Sequence, residues 1–396
     1  MEETSIFRGR MDPGDLQPLE RDPELVWMSP GIELYGFGVG ARFDPGTGAD
    51  RYARARNQVE EWWDRQEIAG EGPGPFAFAS FTFDSQTHGS VVVIPAFTLI
   101  RTHGEAYEVS VGGSQLPQQG PGRTHPADRP RFAGSSLPDH LWLEAVAESL
   151  EVIARGEAEK VVLARDHALW SKQPFDRRGI LTRLHQRFPE CFTFLIEGLT
   201  GASPELLVRL EGMSVSSQVL AGSAPRGDDT ENDELIGKDL QASEKNQLEH
   251  ALAAASVGRV LGEICRRLDR PVAPELLRLD NVQHLSTRFT GALANPRHVL
   301  EVVGALHPTA AVGGTPTGAA LALIKRLEKM DRGRYAGPVG YFDKNGDGEF
   351  AIALRCAELS GARARLFAGG GIVAGSVPEE ELEETRLKLR AMLSVL

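Results

Sequence analysis

Residues 366–390, LFAGGGIVAGSVPEEELEETRLKLR, constrain this chain more than any other stretch. The apolar run Leu366-Phe367-Ala368 reads as the end of a strand, and Gly369, Gly370 and Gly371 follow it. Without a Cβ, such a backbone can turn through positive φ and let a ligand approach closely. Ser376 and Pro378 mark a helix start, with Ser as cap and Pro in the first turn. The helix opens with Glu379, Glu380, Glu381, Glu383 and Glu384. Carboxylates favour the positive end of a helix dipole, which explains part of this acid without any function. Glu381 and Glu384 are three apart and share a face. That face is either solvated helix acid or a carboxylate pair holding a divalent metal beside a glycine bend that cradles an anion.

The full 396 residues suffice for one large domain or two ordinary ones. A formal charge of -12 argues against nucleic acid and anionic membranes as partners, although a local cationic pocket for a small anion remains open. The acidic N-terminus lacks the apolar core of a signal peptide, and no apolar run reaches membrane-span length. Cys191, Cys265 and Cys356 are far apart and lack metal-ligand spacing, so they read as reduced, buried cysteines of a cytoplasmic protein.

Residues 1–135 carry strand-like pieces at 31–39, 76–84, 91–99 and 106–111 and a helix at 52–67, which suggests antiparallel sheet with packed helices. Residues 112–138 are rich in Gly, Pro and Ser and predict a long loop and the chain's main boundary. Beyond it, a helix is expected over 139–155 with Leu143, Val146, Leu150 and Ile153 inward. Glu159–Arg165 reads as a buried strand with Lys160 at its start, either a snorkelling lysine or a buried amine able to act as a base. Glu205 stands at the mouth of the apolar strand 205–210, and strand 214–220 ends in the small-residue turn 221–227. A helical region over 233–268 has Ser243 as an internal cap and Leu248, Leu252, Val260, Leu261, Ile264 and Leu268 as its core stripe, with Glu249 beside that stripe. Strands follow at 276–279 and 282–289, the latter with His284. His307 and the small-residue loop through Ala311 precede a helix capped at Thr315-Pro316.

The turn DKNGDG, 343–348, resembles the opening of a calcium loop, but Leu354 stands where a bidentate Glu is needed, so a β-turn is expected. After it, Phe350, Ile352, Leu354 and Cys356 alternate with Ala351, Ala353, Arg355 and Ala357. A lone arginine among alanines wants either a substrate carboxylate or an ion pair with a glutamate of the last helix. Lys160, Glu205, Glu249, Arg355 and Glu384 each have a plain structural explanation. Together they suit acid–base work on a small polycarboxylate with magnesium. The competing readings are nucleotide binding, for which the glycine run lacks GxGxxG spacing, and a non-enzymatic binding module, which would not need Lys160 and Glu205.

The stretches EKVVLAR, GASPELL, LAGSAPRG, ASEKNQLEH, QHLSTRFTG, LHPTAAVGGTP, RYAGPVGYFD, ALRCAEL and AGGGIVAGSVPEEELEET together resemble the chorismate-utilising enzymes, in order, over about 138–396. This family comprises isochorismate, salicylate, anthranilate and aminodeoxychorismate synthases. The resemblance implies an α/β (α+β) fold of large antiparallel sheets and flanking helices around one central cleft. Residues 1–135 would be a family-variable region packed on the same fold, and 136–396 the catalytic region. It implies Mg²⁺ as cofactor, with Glu249 and Glu384 as ligands and Glu381 acting through water or as a weaker ligand. Arg355 and Tyr335 would hold the pyruvyl carboxylate. Gly222, Ser223 and Gly371 would line the ring carboxylate and metal side, and His284 and His307 would belong to the pocket.

Lys160 matches the lysine of the water-adding branch, closest to isochorismate synthase, where ammonia-using members usually have glutamine and need a glutaminase partner. No such partner is expected, and the chain should be a monomer or weak homodimer. In the implied reaction Lys160 activates water for addition at C2 of chorismate, and protonated Glu205 donates to the departing C4 hydroxyl. Salicylate synthases share these residues and go on to eliminate pyruvate. Ala311, where they commonly carry threonine, tilts the reading towards isochorismate. Ser223 in place of threonine, and Asn246 in place of aspartate, depart from the family pattern. Menaquinone, a catechol siderophore and salicylate all remain open as destinations of the product.

Overall fold

A computed structural model describes residues 5–12, 18–118 and 129–396. Strand pairing carries the architecture. The longest ladders are antiparallel: Lys160–Trp170 with Arg363–Val373, Ser214–Pro225 with Val282–Leu293, and Ile32–Phe43 with Val91–Thr102. Among the described pairings one is parallel, Ser5–Met11 beside Glu67–Gly70. Helices Asp139–Ala154, Glu244–Ile264 and Pro378–Leu393 pack on these ladders, and the resulting α/β fold of antiparallel sheets and flanking helices is the one expected. Among the described residues no helix is long and apolar enough to cross a membrane.

Residues before the Gly/Pro-rich stretch share sheets with those after it. Leu25–Ser29 pairs with Phe192–Ile196, and Phe76–Ser80 pairs with Pro338–Asp343. One apolar core runs through both, from Trp27, Trp63 and Phe78 to Leu163, Phe194 and Phe350. Trp27 stacks on Phe192 at 5.7 Å and donates its indole N–H to buried Glu349 (2.9 Å), which also pairs with Arg209. Part of the predicted loop, 119–128, lies outside the described residues. Arg131–Gly134, expected in that loop, is instead a strand on the edge of Lys160–Trp170, where Phe132 meets the His167 ring edge-on at 5.0 Å.

Several local expectations are corrected by packing. The helical region 233–268 is two helices, Thr230–Ala242 and Glu244–Ile264, with Ser243 between them as cap of the second. Leu268 belongs to the strand Cys265–Asp269, and Leu248 is exposed. The inward face carries Glu249, His250, Ala253, Val257 and Leu261, because His250 bonds Ala221 O (3.2 Å) and Thr287 Oγ1 (2.7 Å) and fixes the helix's rotation. Helix 139–154 is likewise rotated, burying Trp142, Ala145, Val146, Ser149 and Val152. Cys265 is only half-buried, whereas Cys191 and Cys356 are buried, and all three are free. Residues 343–348 form the expected turn, with Asp343 Oδ1 accepting from the backbone N–H of Asn345 (2.8 Å) and Asp347 (3.1 Å).

Candidate active site

The glycine triplet is not a bend. Strand Arg363–Val373 runs through Gly369, Gly370 and Gly371, which pair with Ala164, Leu163 and Val162. Of the glycines here only Gly375 has positive φ, +87°. The triplet provides room instead. A Cβ on Gly371 would collide with Glu249 Oε1 and stand 2.9 Å from Lys160 Cε, and one on Gly370 would stand 3.0 Å from Glu381 Oε2. Two buried carboxylates therefore lie against a strip of bare backbone. Ser376 is not the helix cap, which is Val377. Its hydroxyl donates to Glu381 Oε1 (2.8 Å).

The facing wall is a matched interruption in two strands. Gly201 pairs with Cys356 and Leu206 with Ala351, so 202–205 and 352–355 are the residues between. Here the predicted alternation fails: Gly348–Ile352 and Cys356–Ser360 are separate strands with different partners, and residues 350–353 are all buried. Arg355 occupies the break with φ +46°, a left-handed conformation that costs a non-glycine residue about 1 kcal/mol. Glu205 occupies the other break, and its carbonyl accepts from Ile352 N (3.1 Å). Both side chains are thus turned out of the ladder into one cavity.

That cavity is lined by Glu205, Gly222, Ser223, Glu249, His284, Ala311, Tyr335, Arg355 and Gly371. Of the residues expected to line the substrate pocket, all but His307 are there. Its atom-free space, including the part open to solvent, is about 720 Å³. Arg355 is buried, forms no ion pair among the described residues, and has one nitrogen, Nη1, with no hydrogen-bond partner. The ion pair with the last helix is therefore not formed. Its Nη2 donates to His284 Nε2 (2.6 Å), which requires the tautomer with the proton on Nδ1, donating to Ser223 Oγ (3.0 Å). Burial, with Arg355 and Lys388 nearby, holds His284 well below the ordinary histidine range, in keeping with that neutral ring. Tyr335 stacks on Phe367 at 4.9 Å. His307 does not join this cavity. Packing draws it to Tyr52 OH (3.3 Å) and Ala336 O (3.1 Å), in a neighbouring cavity.

Glu205 is 3% exposed, and burial pushes its carboxyl up to about 8 against the opposing pull of Lys160 and Lys388. It is a neutral acid at pH 7. Lys160, 0% exposed, lies directly behind the lining residues Glu249 and Gly371, its Nζ 3.2 Å from Glu249 Oε1. Burial raises Glu249, but Lys160, Lys245 and Lys388 outweigh it and leave the group below the ordinary range.

Glu381 and Glu384 lie beside the cavity and do not line it. Among the described residues no three His, Cys, Asp or Glu side chains gather closely enough to hold a metal ion. Each acid is bonded to a lysine instead: Glu249 to Lys160, Glu381 to Lys245 (2.5 Å) and Glu384 to Lys388 (2.6 Å). Burial lowers Lys245, but Glu381, Glu384 and Glu249 together raise it, so one ammonium senses all three acids. Burial and then Glu384 push Glu381 up to about 7. Among the described residues its Oε2, buried, has no partner. An orphaned carboxylate oxygen, bare glycine beside it and an all-oxygen donor set fit a hard divalent cation. The sequence reading missed Lys388, which lines the cavity and also donates to Gly369 O (3.0 Å), because four residues after Glu384 it looks like an ordinary helix-surface pair. It missed Lys245 for want of any sign that helix 244–264 meets helix 378–393.

Comparison with known proteins agrees with this geometry. The profile of the family described as "Chorismate binding enzyme" matches residues 114–396. Isochorismate synthase MenF of Bacillus subtilis is 32% identical over 94% of this chain and 87% of its own length. The salicylate biosynthesis isochorismate synthase of Pseudomonas aeruginosa is 33% identical over 94% and 85%. The solved structure of MenF, the menaquinone-specific isochorismate synthase of Escherichia coli, superposes with a TM-score of 0.83 and 26% identity over 98% of this chain and 94% of that one. From its profile match, its relatives and its fold, the chain belongs to the chorismate binding enzyme family.

Proposed function

We propose that this protein is an isochorismate synthase, an isomerase that converts chorismate to isochorismate by adding water at C2 with loss of the C4 hydroxyl. The observation that carries the reading is a carboxyl group held neutral to about pH 8 in the same cavity wall system as a fully buried lysine. The first is a proton donor, and the second, when deprotonated, is a proton acceptor. The free Nη1 of Arg355 receives the pyruvyl carboxylate, with Tyr335 beside it. The Arg355–His284–Ser223 relay fixes the orientation of the guanidinium and the hydroxyl. Backbone at Gly222, Ser223 and Gly371 borders the ring carboxylate. In its deprotonated form Lys160 Nζ takes a proton from water as the water oxygen bonds to C2, and so becomes the ammonium that pairs with Glu249. The ring double bonds shift, the C4–O bond breaks, and Glu205 gives its proton to the departing hydroxyl, which leaves as water. Arg355 and the ring contacts hold the substrate so that C2 and C4 face these two groups.

Glu249 and Glu384 would hold Mg²⁺, with Glu381 as a further, weaker ligand. When bound, the ion supplies positive charge at the ring carboxylate. The protein is read as cytoplasmic, acting on a small molecule without a glutaminase subunit. Incubation with chorismate and Mg²⁺, followed by chromatography, tests the reading. Isochorismate as sole product is expected. Salicylate with pyruvate, or anthranilate on adding ammonia, would overturn it.

A further inference from the structure

Of the three lysine–glutamate contacts around the cavity, that of Lys245 differs from the others. Lys160 is enclosed and bonded to both the carboxylate and the carbonyl of Glu249 (3.2 and 3.4 Å). Lys388 is anchored a second time, on Gly369 O. Lys245 sits in the first turn of helix Glu244–Ile264, its side chain is 23% exposed, and among the described residues it bonds to Glu381 Oε1 alone. That oxygen already accepts from Ser376, whereas Oε2 of the same, 1%-exposed carboxylate accepts from no described residue. Ser376 would therefore keep Glu381 oriented after the lysine departs, and Lys245 has a route to solvent that Lys160 lacks.

We propose that Lys245 is a built-in competitor of the divalent cation for Glu381, a positioning residue whose ammonium holds the carboxylate cluster until a divalent ion displaces it towards solvent. Two positive charges within the reach of one buried carboxylate repel strongly where water is scarce. The lysine thus sets how much cation is needed to fill the cluster, without touching substrate. This inference rests on the magnesium reading above.

Isothermal titration of the full-length protein with Mg²⁺ alone, at pH 8.5 and without substrate, tests it. Lys245→Met is expected to tighten the Mg²⁺ dissociation constant about tenfold, and Lys245→Arg to leave it unchanged or weaker. In the unaltered protein, reductive methylation of Lys245 followed by mass spectrometry should increase when Mg²⁺ is present, while Lys160 stays protected. This second readout needs no variant to fold. If the unaltered protein binds Mg²⁺ and Glu384→Gln abolishes binding, but Lys245→Met fails to tighten it or Lys245 methylation does not rise, the role of Lys245 is overturned and the metal site stands. If the unaltered protein shows no saturable Mg²⁺ binding, or Glu384→Gln leaves it unaltered, the metal reading falls and this proposal with it.

Discussion

The two walls of the cavity treat charge in opposite ways. On the wall of broken strands, among the described residues, Arg355 has no acidic partner and Glu205 no basic one within bonding distance, which leaves one a free cation and the other a neutral acid. On the wall where strand 363–373 meets helices 244–264 and 378–393, every glutamate expected to bind metal is bonded to a lysine. The first wall is preset for an incoming anion and needs no rearrangement. The second is internally neutralised and must exchange partners to work. The proposed recognition and activation groups thus differ in whether the fold has supplied counter-charges.

Substitution at the chemical groups should break this contrast most severely. Glu205→Gln keeps shape and neutrality and is expected to lower kcat about 10³-fold with little change in melting temperature. Lys160→Ala should lose at least as much activity and also about 3 kcal/mol of stability, because it leaves Glu249 buried without its ammonium; denaturant unfolding measures this. Next, Arg355→Met should raise KM for chorismate about 100-fold without a comparable stability loss, since no carboxylate is orphaned by its removal. Equal destabilisation by Arg355→Met and Lys160→Ala would erase the difference between the walls.

The pH dependence sharpens the comparison. Glu205 must carry its proton, so kcat should fall as pH rises through about 8, and Glu205→Gln should lose that limb. The same group binds its proton more tightly folded than unfolded. Its contribution to stability is full below the ordinary carboxyl range near 4.5 and is lost as pH rises to about 8. Urea midpoints for the protein and Glu205→Gln should converge or diverge across that window accordingly. The smallest effect is expected for Gly371→Ala, whose Cβ would press on Glu249 and Lys160. About 1–3 kcal/mol of destabilisation, read from thermal melts, should accompany reduced turnover.

Much of this was legible in sequence because strands announce themselves locally. The strand expected over 106–111 is found as Glu105–Val111, and the ordered motifs drew Glu205, His284, Tyr335 and Arg355 into one cavity. What escaped depends on pairings between distant segments. The alternation through 350–357 looked like one strand because nothing local records that its partner changes from 206–211 to 199–203 midway. The glycines looked like a turn because a triplet cannot reveal whether it is flexible or merely thin. Helix 244–264 was read from its leucines, yet the polar His250 sets which side faces in. Lys245 and Lys388 resembled solvated surface charge until two helices converged.

The cross-stitching of Leu25–Ser29 and Phe76–Ser80 into ladders from the far end of the chain has a practical corollary. A fragment beginning after the Gly/Pro-rich stretch, though it would retain all the proposed reactive groups, would bare two raw hydrogen-bonding margins and strip Glu349 of its indole. Such margins recruit foreign strands. Trimming the protein at its most obvious seam should therefore yield insoluble aggregate and no minimal catalyst.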